Sequence, residues 1–185
     1  VATDAETYHL LNLSQTCYEL SEGSFAITSG ILCKLWSFDG SDCLADQNEI
    51  DKLLPLVGFD KLHFDQQYIQ LPVGMAVDFG GIGKEYAVDS CANIALTTVP
   101  EISVLVNFGG DIAVSRPKRD AAYWQVGVTH PNPQKDTKVL VQIAQGGLAT
   151  SGDANRFLLK NGVRYSHVLN PQTGQPIIDA PASVT

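Results

Sequence analysis

The sequence predicts an α+β fold in which a mostly antiparallel sheet packs with helices. Three observations support this prediction. Apolar residues recur at helical spacing in three stretches, strand-forming segments fill most of the second half, and an Asn-Gly dipeptide joins two of those segments. Because the 185 residues contain no internal repeat, low-complexity tract or linker, we expect one domain over residues 1–185.

Three helices are expected in chain order. The first spans residues 5–20, where apolar residues recur every three or four positions before a glycine ends the pattern. The second begins near Asp46 and is broken by Pro55, because proline removes a backbone donor. The third runs from about residue 84 to residue 96, with apolar residues again on one side.

The predicted strands are runs rich in β-branched and aromatic residues. They cover residues 61–64, 68–71, 75–79, 103–107, 112–115, 124–129, 139–144, 148–151, 156–160 and 163–169. The last two form the clearest hairpin, because Asn161-Gly162 suits a two-residue turn whose central residues both need positive φ. That turn predicts Leu158 opposite Tyr165 and Arg156 opposite His167 on one face.

Charge and hydropathy exclude two classes of partner. Twelve basic residues against twenty acidic ones give a net charge of -8, the wrong sign for general capture of a phosphate backbone, so no nucleic acid is expected. No apolar run approaches the roughly 18 residues of a membrane helix, so no transmembrane segment is expected in this chain. Its first six residues show no signal-peptide pattern.

The four cysteines show no zinc-site spacing. Cys17 and Cys91 fall within predicted helices, where a buried and inert thiol is the usual state. A bridge between Cys33 and Cys43 stays open as an alternative. The cysteines therefore do not fix the compartment.

Residues 75–86 combine an apolar segment, three glycines in four positions and a helix start that carries Lys84. Backbone N–H groups and a helix N-terminus can cradle a diphosphate. The segment is neither a dinucleotide fingerprint, which needs a third glycine, nor a Walker loop, because Glu85 follows Lys84. Taken alone, it fits a tight turn without a ligand equally well.

Two further clusters and one histidine lie at strand ends. Asp111 ends a second glycine-rich turn, where a turn cap is favoured over a ligand. Residues 148–153 place two hydroxyls and a carboxylate on one loop, which is usually a solvated turn. His167 lies in the hairpin, and a histidine in a strand is more often structural than catalytic.

In chain order, these segments resemble the successive motifs of the FAD:protein FMN transferase family, the ApbE-type flavin transferases. The matching stretches are LPVGMAVDFGGIGKEYAVD, VNFGGDIAV, WQVGVTHP, GGLATSGDANRF, RYSHVLNPQTGQPI and ASVT. Upstream, GSFAITSGILCKLWSF is similar to the segment that precedes the family's Leu-Trp-Gly-Phe stretch. The resemblance extends from about Leu10 to Thr185.

The resemblance implies binding of FAD, cleavage of its pyrophosphate with Mg2+, and transfer of FMN to a Thr or Ser hydroxyl of an acceptor flavoprotein. It also implies a periplasmic or membrane-anchored protein. The implied FAD contacts are Ser24, Phe25, Ala26, Asp78, Lys84 and Leu169. The backbone of Gly81 matches a metal-contacting position, and His167 matches the proposed general base, a role that imidazole can fill near neutral pH.

The sequence also departs from the family pattern. Ala26 replaces the usual Asp after the aromatic residue. Relative to the family pattern, we expect the chain to be truncated at both ends. The Met-Gly-Thr strand and the tyrosine-bearing segment are absent before Val1, and the sequence stops before the Asp-x-x-Asp-Thr metal segment. Weak Mg2+ binding and slow turnover are therefore expected of the chain as given. Three alternatives to the transferase function remain: a non-catalytic FAD- or nucleotide-binding module of the same fold, an FAD pyrophosphatase, and a structural or interaction domain whose motifs no longer bind a ligand.

Overall fold

The computed structural model of the chain describes residues 1–39, 41–130, 138–152, 156–178 and 180–185. The chain divides into two compact units, which are Val1–Gly81 with Asn155–Ala180, and Ile82–Ala154 with Pro181–Thr185. A single domain over residues 1–185 stays a prediction. Within the described residues, no helix is long and apolar enough to cross a membrane.

Helices dominate the first half of the chain, and strands dominate the second half. The α-helices are α1 (Ala5–Leu20), α2 (Gln47–Leu53) and α3 (Gly83–Thr98), and 3-10 helices cover Ile27–Leu35, Leu54–Leu56 and Phe59–Lys61. The strands are β1 (His63–Phe64), β2 (Ile69–Gln70), β3 (Leu105–Phe108), β4 (Asp111–Val114), β5 (Trp124–Thr129), β6 (Lys138–Ile143), β7 (Gly146–Leu148), β8 (Phe157–Lys160), β9 (Val163–Leu169) and β10 (Pro176–Ile178).

Side-chain caps explain why the helices begin where they do. The Asp4 carboxylate accepts a hydrogen bond from the Thr7 N–H at 2.7 Å at the start of α1, and Asp46 does the same for α2. Gly23, at φ +80, lies just after α1 and donates its N–H to the Tyr18 carbonyl. The predicted bounds of α1 are confirmed, and those of the other two helices agree within a few residues.

The described strands pair antiparallel, in two three-stranded sheets ordered β10-β9-β8 and β3-β4-β7 and two hairpins, β1-β2 and β5-β6. Asn161 and Gly162 have φ of 51° and 78°, as the predicted turn requires. The pair of Leu158 with Tyr165 is confirmed. Pairing begins only at Phe157, so the expected pair of Arg156 with His167 lies beyond the ladder.

The strand predicted over residues 148–151 lies earlier, at Gly146–Leu148. Two further predictions of local structure are wrong. Residues 75–79 form no strand, because the segment lies beside a 3-10 helix, and only one backbone bond, from the Asp78 N–H to the Ile27 carbonyl, joins the two. The apolar side chains of this segment nevertheless alternate as in a strand. Met75, Val77 and Phe79 pack on the core of the first unit. Cys91 is exposed rather than buried, because the buried face of α3 runs through Val88 and Ala92.

Each unit has its own core. In the first unit, one cluster comprises Leu11, Ile27, Phe59, Leu62 and Ile69, and another comprises Trp36, Ile50 and Leu158. In the second unit, α3 packs on β4, whose four residues are all buried, and β4 lies between β3 and β7. Asp111 is the first residue of this central strand and is paired with Phe108 of β3.

Gly174 is expected to be essential for packing the second cluster of the first unit. Its φ is +69°, and a Cβ there would lie 2.5 Å from Cγ2 of Ile50. We expect Gly174→Ala to lower the free energy of unfolding by about 2–4 kcal/mol, from backbone strain and overpacking together. Gly162→Ala is the matched control, because φ is also positive there and the space is open, so about 1 kcal/mol is expected. Equal losses in urea titrations would contradict this packing role.

Candidate functional site

Two segments of the first unit lie side by side and bring together four of the residues that the resemblance implicates. The Asp78 N–H donates to the Ile27 carbonyl at 2.8 Å, which joins the segment that follows Phe25 and Ala26 to the one that ends at Gly81. The Asp78 carboxylate also accepts a hydrogen bond from the Gly80 N–H at 2.8 Å. The glycine turn is therefore fixed by the aspartate that precedes it.

Two glycines allow this close approach. A Cβ on Gly30 would lie 2.6 Å from the Asp78 Cβ, and a Cβ on Gly81 would lie 2.8 Å from Cε2 of Phe25. The Gly81 backbone thus packs directly on the Phe25 ring. The sequence pattern marked Gly81 as a turn residue, but its aromatic neighbour is 56 positions away in the chain and could not be inferred from spacing.

Ser24 and Ala26 differ in exposure. Ser24 is exposed, whereas Ala26 is buried and lines a pocket of about 180 Å³ together with Tyr18 and Gly58. Ala26 therefore contributes to a small pocket and directly precedes Ile27, whose carbonyl bonds to Asp78. No carboxylate is supplied at that position, in agreement with the departure seen in the sequence.

His167 and Leu169 lie on one face of β9, because side chains alternate along a strand. Leu169 packs against the cluster that contains Trp36. The His167 ring is half-buried, its Nδ1 is shielded from solvent, and it meets the Phe38 ring edge-on at a centroid distance of 6.3 Å. Trp36 stacks on Phe38 at 6.2 Å, so aromatic packing sets where the imidazole lies.

The 3-10 helix Ile27–Leu35 was not predicted, and it connects the two groups just described. Its first residue bonds to Asp78, and its last residue precedes Trp36. Nine residues at about 2 Å per residue span roughly 18 Å. Burial, and next the negative charge of Asp78, raise the pKa of the Cys33 thiol on this helix, while Arg156 opposes the shift.

The second unit brings three sequence motifs together at one carboxylate. Lys84 Nζ forms an ion pair with Oδ2 of Asp111, and the Thr150 N–H donates to Oδ1 of Asp111 at 3.3 Å. The interpretation of Asp111 as a turn cap is therefore wrong. Asn107 performs that task, because its side-chain oxygen accepts from the Gly110 N–H at 2.9 Å.

The start of α3 presents backbone donors next to Lys84. Its N-cap residue, Ile82, offers no side-chain hydrogen bond, so the first-turn N–H groups are not capped by that side chain. The positive end of the helix dipole adds to the Lys84 charge. Oε2 of Glu85, in the same turn, is buried, and no described residue donates a hydrogen bond to it.

The described residues do not fit a complete metal site. Among them, no group of three or more His, Cys, Asp or Glu side chains is placed to hold an ion. The Asp111 carboxylate is already paired with Lys84, and the unpaired oxygen of Glu85 is a single ligand. Mg2+ prefers six oxygen ligands, so the proposed contact from the Gly81 backbone would need several others.

The comparisons with known proteins agree on one family. The family model described as "ApbE family" matches residues 1–185. A Vibrio cholerae protein named FAD:protein FMN transferase is 29% identical over 171 residues, covering 90% of this chain and 51% of that protein. A Treponema pallidum protein of the same name is 31% identical over 195 residues, covering 95% and 53%. The chain spans about half the length of these curated relatives.

Solved structures give the same result for the fold. The ApbE protein of Thermotoga maritima superposes with a TM-score of 0.85 at 34% identity, covering 99% of this chain and 60% of that one. The apo form of the Pseudomonas stutzeri flavinyl transferase ApbE gives 0.84 at 27% identity, covering 99% and 58%. The α+β prediction is thereby confirmed. With its whole length matched by the family model and its fold shared with these structures, the chain belongs to the ApbE family.

Proposed function

We propose that this chain carries an FAD:protein FMN transferase activity, in which FAD is bound and its FMN moiety is transferred to a Thr or Ser hydroxyl of an acceptor flavoprotein. The observation that supports it best is that the segment with Phe25 and Ala26 lies beside the one with Asp78 and Gly81. The two are joined by the bond from the Asp78 N–H to the Ile27 carbonyl and by the packing of Gly81 on Phe25. The family resemblance assigns Phe25, Ala26, Asp78 and Gly81 to the flavin nucleotide and its metal. A family match over the whole chain supports the same reading.

In the proposed reaction, the acceptor hydroxyl oxygen attacks the phosphorus of the FMN half of FAD. The bond from that phosphorus to the bridging oxygen breaks, and AMP leaves with that oxygen. His167 takes the hydroxyl proton, and its aromatic neighbour Phe38 limits how far the ring can turn. Lys84 would bind a phosphate or flavin oxygen as a point charge, and Asp78 would accept hydrogen bonds from hydroxyl or amine donors.

Ser24 and Leu169 complete the proposed flavin contacts. Ser24 is exposed, so its groups are available to a ligand, whereas Leu169 offers an apolar side chain packed on the Trp36 cluster. By the same family resemblance, we place the protein in the periplasm or at a membrane anchor. Cell fractionation tests that placement independently of the chemistry.

Mg2+ is implied by the resemblance, but the described residues supply no complete ligand set for it. Its requirement is tested separately from FAD binding. Loss of transfer on addition of EDTA, with FAD affinity unchanged, would support a bound divalent cation in the active protein. Transfer that continues in excess EDTA would remove Mg2+ from the proposal.

We expect the chain to bind FAD more tightly than FMN, because the glycine turn and Lys84 are suited to a diphosphate that FMN lacks. Lys84→Ala should weaken FAD binding about tenfold and change FMN binding little. Titration of flavin fluorescence measures both affinities. Lys52→Ala is the matched control, since Lys52 is an exposed lysine paired with Glu49 in the first unit. Equal affinities for FAD and FMN would exclude a diphosphate contact.

One observation favours a second candidate function, a non-catalytic FAD-binding module. It is the lack of a metal ligand set among the described residues. This alternative predicts FAD binding without AMP release in the presence of Mg2+. An FAD pyrophosphatase would instead release AMP and free FMN without any acceptor. Chromatography of the nucleotides after incubation separates the three reactions.

A further inference from the structure

Asp111 is a buried carboxylate with no assigned role in the proposed reaction. It is 1% exposed and begins β4, the central strand of its sheet. A charge in such a place is costly unless it is paired and hydrogen-bonded. Both of its oxygens are satisfied, one by the Lys84 ammonium and the other by the Thr150 N–H.

The two partners of this ion pair differ in exposure. The Asp111 side chain is 2% exposed, whereas that of Lys84 is 55% exposed. A lysine ammonium has three N–H donors, and the bond to Asp111 uses one of them. The other donors remain for a ligand, while the buried carboxylate fixes the position of the nitrogen.

The strand that begins with Asp111 and the loop that carries Thr150 are both fixed by backbone hydrogen bonds. β4 pairs with β3 and β7, and its first residue faces Phe108 across the β3 ladder. The loop that carries Thr150 is joined to the C-terminal segment, because Ser151 and Val184 exchange backbone hydrogen bonds of 2.9 and 2.7 Å. A carboxylate anchored in this way can position a flexible lysine side chain.

We propose that Asp111 is a positioning residue that holds the Lys84 ammonium in place for an anionic oxygen of the FAD diphosphate. The inference rests on the proposed function, in which Lys84 binds FAD. Positioning by Asp111 and a simple charge effect predict opposite changes in FAD affinity when Asp111 is replaced. A neighbouring carboxylate lowers the positive potential at Lys84, so by charge alone Asp111→Asn should tighten FAD binding, whereas loss of positioning should weaken it.

The test measures FAD and FMN affinities for wild type, Asp111→Asn, Asp111→Glu, Lys84→Met and the Asp111→Asn/Lys84→Met double variant. We expect Asp111→Asn to weaken FAD binding about tenfold. The double variant should bind no worse than Lys84→Met, because the two residues act through one contact. Asp111→Glu keeps the charge but displaces it by one methylene, so it should also weaken FAD binding. FMN affinity should change little throughout.

Asp120→Asn is the matched control, since Asp120 is an exposed aspartate of the same unit. Thermal unfolding identifies any variant that fails to fold, and Asp111→Glu keeps the test possible if Asp111→Asn is such a variant. Tighter FAD binding by Asp111→Asn, wild-type binding by Asp111→Glu, or additive losses in the double variant would each overturn the inference. If the wild type binds no FAD, the proposed function fails and this inference with it. If Lys84→Met weakens binding and the Asp111 variants do not, the inference alone fails.

Discussion

Replacing His167 with alanine should slow FMN transfer by about 10²- to 10⁴-fold while FAD affinity stays near that of the wild type. The expectation follows from the proposed role of the imidazole, which accepts the hydroxyl proton during attack and is not a main contact of the nucleotide. Initial rates of AMP release in the presence of acceptor, measured on the native protein, give the first quantity. Flavin fluorescence titration gives the second.

His167 lies beside Phe38 on the face of β9 that packs on the core, so a structural role has to be separated from a catalytic one. His167→Gln keeps most of the side-chain volume and removes the base, and it should lose transfer as fully as His167→Ala. His63→Ala, at an exposed histidine of β1, is the matched control and should have no effect. A folded His167→Ala protein with wild-type transfer would refute the base assignment. Joint loss of stability and FAD affinity would indicate a structural residue.

The second large effect concerns Trp36, which is 6% exposed and donates its indole N–H to the Gly174 carbonyl at 3.1 Å. Trp36→Ala should lower the free energy of unfolding by about 3–5 kcal/mol, because a buried aromatic ring and its hydrogen bond are lost together. Trp36→Phe keeps an aromatic ring and loses the hydrogen bond, so a smaller loss of about 1–2 kcal/mol is expected. Urea unfolding followed by circular dichroism measures both.

Trp36 also supports the ring that borders His167, because it stacks on Phe38. In the folded fraction of Trp36→Ala, we therefore expect transfer to fall further than FAD binding does. A stability loss below about 1 kcal/mol for Trp36→Ala would show that the cluster tolerates its removal. It would also contradict the argument that aromatic packing sets the position of the imidazole.

Short sequence patterns predicted correctly those elements whose stabilising contacts lie within a few residues of one another. The first helix was predicted to the residue from its apolar spacing and the glycine after it. The structure adds a local cap, Asp4, at its start. The Asn161-Gly162 turn likewise fixed the hairpin register. The strand predicted over residues 75–79 failed because strand formation needs a partner strand, and that segment lies beside a 3-10 helix.

The functional site was harder to predict than the helices and turns, because its contacts join residues that are far apart in the sequence. Residue patterns singled out Lys84 and His167, but the selection of Asp78 and the roles of all three came from a family resemblance. The ion pair between Lys84 and Asp111 joins residues 27 positions apart, and the cap interpretation of Asp111 considered only its own turn. Contacts of this length depend on how α3 packs on β4, which single-sequence patterns do not encode.

The most direct test of the flavin-transferase proposal is the mass of an acceptor protein after incubation with this chain, FAD and Mg2+. The acceptor is an apo-flavoprotein whose mature form carries FMN on a threonine, and its threonine-to-alanine variant is the control. The reaction is followed to its endpoint, since slow turnover is expected. We predict a mass increase of one FMN phosphoester, with one AMP released per acceptor and no change in the control. An unmodified acceptor in the presence of a chain that binds FAD would contradict the transferase activity.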